Sequence, residues 1–167
     1  MVRNNIYMVR WFIFFVAVIA LSRIVPHPPN FTPILAAGVM SAVLTHKLRE
    51  SILMTLLAMF VSDLYYGLHP FMIWTYSSVA LASVIGHYNK NVYLSGIAAS
   101  VAFFIITNFG VWASGNFYEH NLYGLYVCYV AGLPFFSNTL LGTLFYIFGI
   151  DIIIKSVDKL SGWSYNK

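Results

Sequence analysis

Twelve consecutive residues, Ser51 to Ser62, carry no charge, and they belong to one of six apolar runs bounded by charges, Pro and Gly. The runs are Ile6 to Arg23, Phe31 to His46, Ser51 to Leu68, Phe71 to His87, Val92 to Trp112 and Pro134 to Ile154. Most fall somewhat short of the roughly 20 residues that cross a bilayer upright. Only 8% of the 167 residues are charged, against about 25% in a domain that must cover itself in water. The pattern predicts an all-α integral membrane bundle of about six transmembrane helices. It forms one domain over residues 1–160, with a short polar tail at 161–167.

Two places strain this reading. The second run is the weakest, and it fits a broken or partly buried helix whose ends are covered by protein. Tyr118 to Gly132 is aromatic and ends in Gly132-Leu133-Pro134, which predicts a break before the last helix. That stretch reads as an interfacial or re-entrant segment. The N-terminus, with Arg3 and Arg10 before the apolar Trp11 to Leu21, has the charge layout of a secretory signal. The A-x-x-A spacing of Ala17 and Ala20, followed at once by Arg23 and Pro26, favours a retained span.

Charge sets the expected orientation. With the N-terminus in the cytoplasm, Arg3, Arg10, Lys47, Arg49, Lys90, Lys155, Lys159 and Lys167 share one side, and only Arg23 falls on the other. Short loops with this asymmetry obey the positive-inside rule, and six spans return the C-terminus to the cytoplasm. The formal charge of +4 does not indicate nucleic acid, because no basic cluster exceeds His46-Lys47-Leu48-Arg49. Cys128 is the single cysteine, so no internal disulfide forms, and it reads as a small packing residue. No G-x-x-x-x-G-K-[ST] loop occurs, so ATP-driven work would need a partner.

This topology collects polar residues at the outer helix ends, where they face a bundle interior or a water-filled cavity. Four prolines lie between Pro26 and Pro33, stiffening a turn that cannot be helical from Val25 to Pro28. It is either a rigid extracellular turn or a wall of a ligand site, with His27 and Asn30 offering hydrogen bonds and Arg23 a charge. Asn30 or Thr32 could cap the second helix. Asp63 demands a partner inside a membrane. That partner is Arg23, or a cationic or hydroxylated ligand, or a metal shared with His69 and His27. Asn108 and Trp112 share a helix face, continued by Asn116 if the helix passes Gly115; Asn108 serves either as helix glue or as a substrate contact.

Other polar residues have local explanations. Ser137, Asn138 and Thr139 suit caps for the last helix. Asp151 and Lys155 form an i, i+4 pair, and His46 and His87 sit at inner helix ends, where a cation suits the dipole. Ser95, Gly96, Ala98, Ala99, Ser100 and Ala102 allow close helix approach or a docking face.

The run Arg23-Ile24-Val25-Pro26-His27-Pro28-Pro29-Asn30-Phe31-Thr32-Pro33 resembles an uncharacterised family of small bacterial membrane proteins. So do Ser62-Asp63, Gly67-Leu68-His69, Thr107 to Trp112 and Leu133 to Leu140. That family is similar in turn to the S components of energy-coupling-factor vitamin transporters. The resemblance implies a bundle of about six helices in the bacterial cytoplasmic membrane, both termini inside, binding a vitamin-like molecule from outside. Its partners would be an energy-coupling transmembrane subunit and ATPases. The A-x-x-x-A docking spacing of those subunits is absent from the first span, where Leu21 follows Ala17, but Ala98 and Ala102 have it on the fifth.

The leading expectation is therefore a noncatalytic capture subunit of an importer. Its ligand site is Arg23, His27, Asn30, Asp63, His69, Asn108 and Trp112, with no cofactor. A structural or assembly subunit is the alternative. An intramembrane enzyme using Asp63 and His69 ranks below both, because no nucleophile motif and no H-E-x-x-H occurs.

Overall fold

The computed structural model describes the backbone of residues 2–45 and 47–161 and the side chains of 13–45 and 47–156. The expectations for His46 and Lys167, and for the side chains of Arg3, Arg10 and Lys159, lie outside the described residues. The described chain is all-helical, with α1 at Val2–Ile24, α2 at Ile34–Thr45, α3 at Leu48–Tyr66, α4 at Met72–Tyr88, α5 at Val92–Ser114 and α6 at Leu122–Ser161.

Local chemistry explains most of the ends. α1 stops at Ile24, two residues before Pro26, where the proline-rich turn takes over. α3 closes at Gly67, whose φ of 95° suits glycine and whose N–H donates to the Asp63 carbonyl. α5 opens with the Asn91 side chain accepting from the Leu94 N–H at 3.0 Å. It ends at Ser114 with Gly115 extended, so Asn116 does not continue the Asn108 and Trp112 face.

α2 is the centre of the bundle. It packs on α3, α4, α5 and α6, while α1 packs chiefly on α3. Every residue from Ile34 to Ala42 is buried, in keeping with the partly buried helix expected for this run. The approach of α4 is so close that a Cβ on Gly86 would lie 2.5 Å from the Val39 carbonyl oxygen; only glycine fits there. At 12 residues, α2 is about 18 Å long, little more than half a hydrocarbon core.

α6 departs from the expected break. It runs unbroken for 40 residues with Pro134 inside. Proline removes one helical hydrogen bond, and α5 holds both flanks in place. Before the proline, the Tyr129 hydroxyl donates to the Ile105 carbonyl at 2.8 Å, and the thiol of buried Cys128 donates to the Asn108 carbonyl at 3.3 Å. After it, the Phe136 ring meets Phe104 at 5.0 Å. Ser137 and Thr139 therefore lie within the helix and not at a cap, donating to the carbonyls of Leu133 and Phe135.

The side chains are sorted in an unusual sense. Buried Thr55, Ser78 and Ser100 donate to carbonyls of their own helices, which satisfies each hydroxyl without a partner elsewhere. Phe14, Phe15, Phe60, Leu64, Ile105, Phe145 and Phe148 face outward. Two helical stretches, Val92–Ser114 and Leu122–Ser156, are long and apolar enough to cross a membrane.

Candidate functional site

The proline-rich turn is exposed from Pro28 to Asn30, and the chain it leads into is buried from Pro33 through the start of α2. The Pro28 carbonyl accepts from the Phe31 N–H at 3.0 Å, and Asn30 between them has φ 63°. This is a tight turn with Pro29 presetting its first central residue and Asn30 tolerating the left-handed second. His27 braces it, with Nδ1 2.8 Å from the Pro28 carbonyl and Nε2 3.0 Å from the Arg23 carbonyl. Phe31 then lies against Gly142 of α6, its ring 5.8 Å from Phe145 and 6.0 Å from Tyr146. Neither Asn30 nor Thr32 caps α2 through its side chain among the described residues; the Pro33 carbonyl accepts from Ala37 at 2.7 Å.

Because α2 begins so deep, space remains beyond its first turn. Gly38 and Ser41 of α2 meet Ser51, near the start of α3, so the later part of α3 runs on past α2's first residue. The gap is a cavity of ≈ 210 Å³. It is lined by the apolar side chains of Ile34, Leu35, Met59 and Phe103 and by the polar side chains of Arg23, Asn30, Thr32, His69, Thr75, Thr139 and Thr143.

Of the seven residues expected to form a ligand site, Arg23, Asn30 and His69 border this space. The other four are engaged elsewhere. Asp63 is buried beside the cavity without lining it, its Oδ1 3.0 Å from Arg23 Nη1 and its Oδ2 accepting from the Tyr76 hydroxyl at 2.9 Å. Arg23 Nη1 also donates to Ser62 Oγ and to the Met59 carbonyl. The Arg23 to Asp63 pair is thus the partner anticipated for that carboxylate, with Tyr76 added. His27 braces the turn. Asn108 donates to Phe104 of its own helix at 2.8 Å and packs against α6 so closely that a Cβ on Gly132 would lie 2.4 Å from its Oδ1. Trp112 donates from Nε1 to the Glu119 carbonyl at 3.0 Å and stacks edgewise on His120, anchoring the α5–α6 connection.

Sequence reasoning missed Thr75, Phe103, Thr139 and Thr143. The last two are four apart on α6 and both buried, a spacing that puts two hydroxyls on one helix face. That signal was present in the chain. Among the described residues no three His, Cys, Asp or Glu side chains converge as metal ligands, so Asp63, His27 and His69 do not form the metal set considered above.

The model of a family of unknown function, DUF6580, matches residues 3–157, and the chain belongs to that family. No curated protein matches the chain, and no solved structure does.

Proposed function

We infer that this member of the DUF6580 family is a multi-pass membrane protein that holds one compact small molecule, as the substrate-capture subunit of an importer. The observation that carries the reading is the ≈ 210 Å³ cavity, lined by both polar and apolar side chains. Sites for small molecules combine apolar walls with a few placed polar groups. At about 30 Å³ per water, this volume holds roughly seven waters. That lies below the roughly 300–1,000 Å³ of drug-sized sites, so the proposed ligand is compact.

Lipid suits the outer surface, where Phe14, Leu57, Phe60, Phe145 and Phe148 are exposed and would otherwise form large apolar patches in water. With both termini in the cytoplasm of a bacterial inner-membrane topology, Lys47, Arg49, Lys90 and Lys155 lie inside and Arg23 outside. The cavity, bordered by Arg23, then opens outward. Similarity to energy-coupling-factor S components and the absence of a phosphate loop in the sequence support a separate coupling subunit with ATPases. A scaffold has no use for such a chamber. An enzyme is disfavoured because Asp63 is occupied by Arg23 and Tyr76.

Native mass spectrometry of protein extracted from its own membranes tests this directly. A bound small molecule together with ATPase-containing partners is expected. An empty monomer without partners would leave the scaffold reading standing instead.

A further inference from the structure

We propose that the cavity is an oxyanion site, taking a compact carboxylate or phosphate between the Arg23 guanidinium and the first turn of α2. This rests on the small-molecule reading above and adds the charge class of the ligand.

The first backbone N–H groups of a helix have no partner within it and carry its positive end. In α2 they belong to Ile34, Leu35 and Ala36, with Pro33 supplying no N–H of its own, and Ile34 and Leu35 line the cavity. A short helix whose N-terminus stops inside a membrane bundle is suited to anionic groups.

Three further observations point the same way. Thr143 is 1% exposed and lines the cavity. Its methyl faces Gly96 of α5, 3.4 Å from where a Cβ would stand, and its hydroxyl has no protein hydrogen-bond partner among the described residues. Arg23 makes all of its recorded side-chain hydrogen bonds from Nη1. Nη2 and Nε therefore remain for a ligand, in the fork geometry that matches an oxyanion. Finally, no Asp or Glu lines the cavity among the described residues; Arg23 and His69 are its charged or titratable side chains. A cation would find no counter-charge there, because both oxygens of Asp63 are already engaged.

A soluble oxyanion and the phosphate of a lipid headgroup share this chemistry, and one experiment separates them. The full chain, delipidated in an uncharged maltoside detergent, is melted with butyrate, butyramide, inorganic phosphate, phosphatidic acid or diacylglycerol. Butyrate, phosphate or phosphatidic acid should raise the melting temperature, and the uncharged butyramide and diacylglycerol should not. Thr143→Val, which keeps shape and leaves the Asp63 pair intact, should weaken the effect roughly tenfold, as expected for one hydrogen bond to a charged group. Arg23→Lys should weaken it as well while still neutralising Asp63.

A response to butyrate or phosphate identifies a soluble oxyanion, and a response to phosphatidic acid alone identifies a lipid. Either sustains the inference. Equal stabilisation by butyrate and butyramide, both lost in Thr143→Val, would overturn the anion assignment while leaving small-molecule binding in place. Anion binding unchanged in both variants would move the site elsewhere. If no compound shifts melting, the oxyanion site falls, while the small-molecule reading is decided separately by native mass spectrometry.

Discussion

Asp63 and Asp151 are both buried, and each accepts from one cation and one tyrosine, yet they are secured by different kinds of contact. Asp151 takes its cation from its own helix, with Lys155 Nζ at 2.7 Å and i+4 in sequence, and its tyrosine from α5, with the Tyr93 hydroxyl at 2.9 Å. Lys155 is 64% exposed. Asp63 takes its cation from α1 and its tyrosine from α4, and Arg23 is only 17% exposed. The first arrangement is a local pair at the edge of the bundle. The second fastens three helices, and it matters most for α1, which packs chiefly on α3.

The difference teaches where a buried charge becomes structural. A carboxylate out of water needs a counter-charge wherever it lies. When the cation comes from one turn away, the pair carries no information about packing. When it comes from 40 residues away, removing it unfastens a helix and strands a charge.

The sharpest way to break this comparison is Arg23→Ala, which leaves Asp63 without its cation and should cost about 3–5 kcal/mol of stability, read by denaturant unfolding in detergent. Adding Asp63→Asn should recover a large part of that loss. If the single variant behaves like a surface substitution, the latch does not exist. Next in size, Tyr76→Phe removes a hydrogen bond to a buried charged group and should cost about 1.5–3 kcal/mol. Tyr93→Phe should cost less, since Tyr93 is 37% exposed and water can replace its hydroxyl; equal losses would erase the contrast. Lys155→Ala should cost less than Arg23→Ala, because Lys155 is 64% exposed and solvent screens its side of the pair. The smallest effect is that of salt: raising ionic strength toward 1 M, where the screening length falls to about 3 Å, should diminish the Lys155 effect and leave the Arg23 effect nearly unchanged.

How far each feature could be read in advance follows the same division. The Asp151 and Lys155 pair, the end of α1 ahead of Pro26 and the small residues of α5 facing α6 all depend on neighbours within a turn or two, and they were legible. Arg23 was one of three candidate partners for Asp63, as the one fixed cation expected on its side, but Tyr76 had no local signature. Asn108 and Trp112 were placed on one face correctly, yet the face turns toward α6 and the loop before it, away from the cavity. The break at Pro134 was expected from proline chemistry and did not occur, because Tyr129 and Phe136 hold the helix against α5 on both sides.

The sequence by itself determined six apolar helical runs, the scarcity of charge, and the need of Asp63 for a partner, since these follow from spacing, composition and the cost of burying a charge. Only the tertiary structure decided that α2 is a short central helix starting inside the bundle, that α6 continues through its proline, and that threonines from α4 and α6 meet Arg23 around a cavity. The physical reason is reach: periodicity dictates which residues share a face, but which faces meet depends on contacts between helices far apart along the chain.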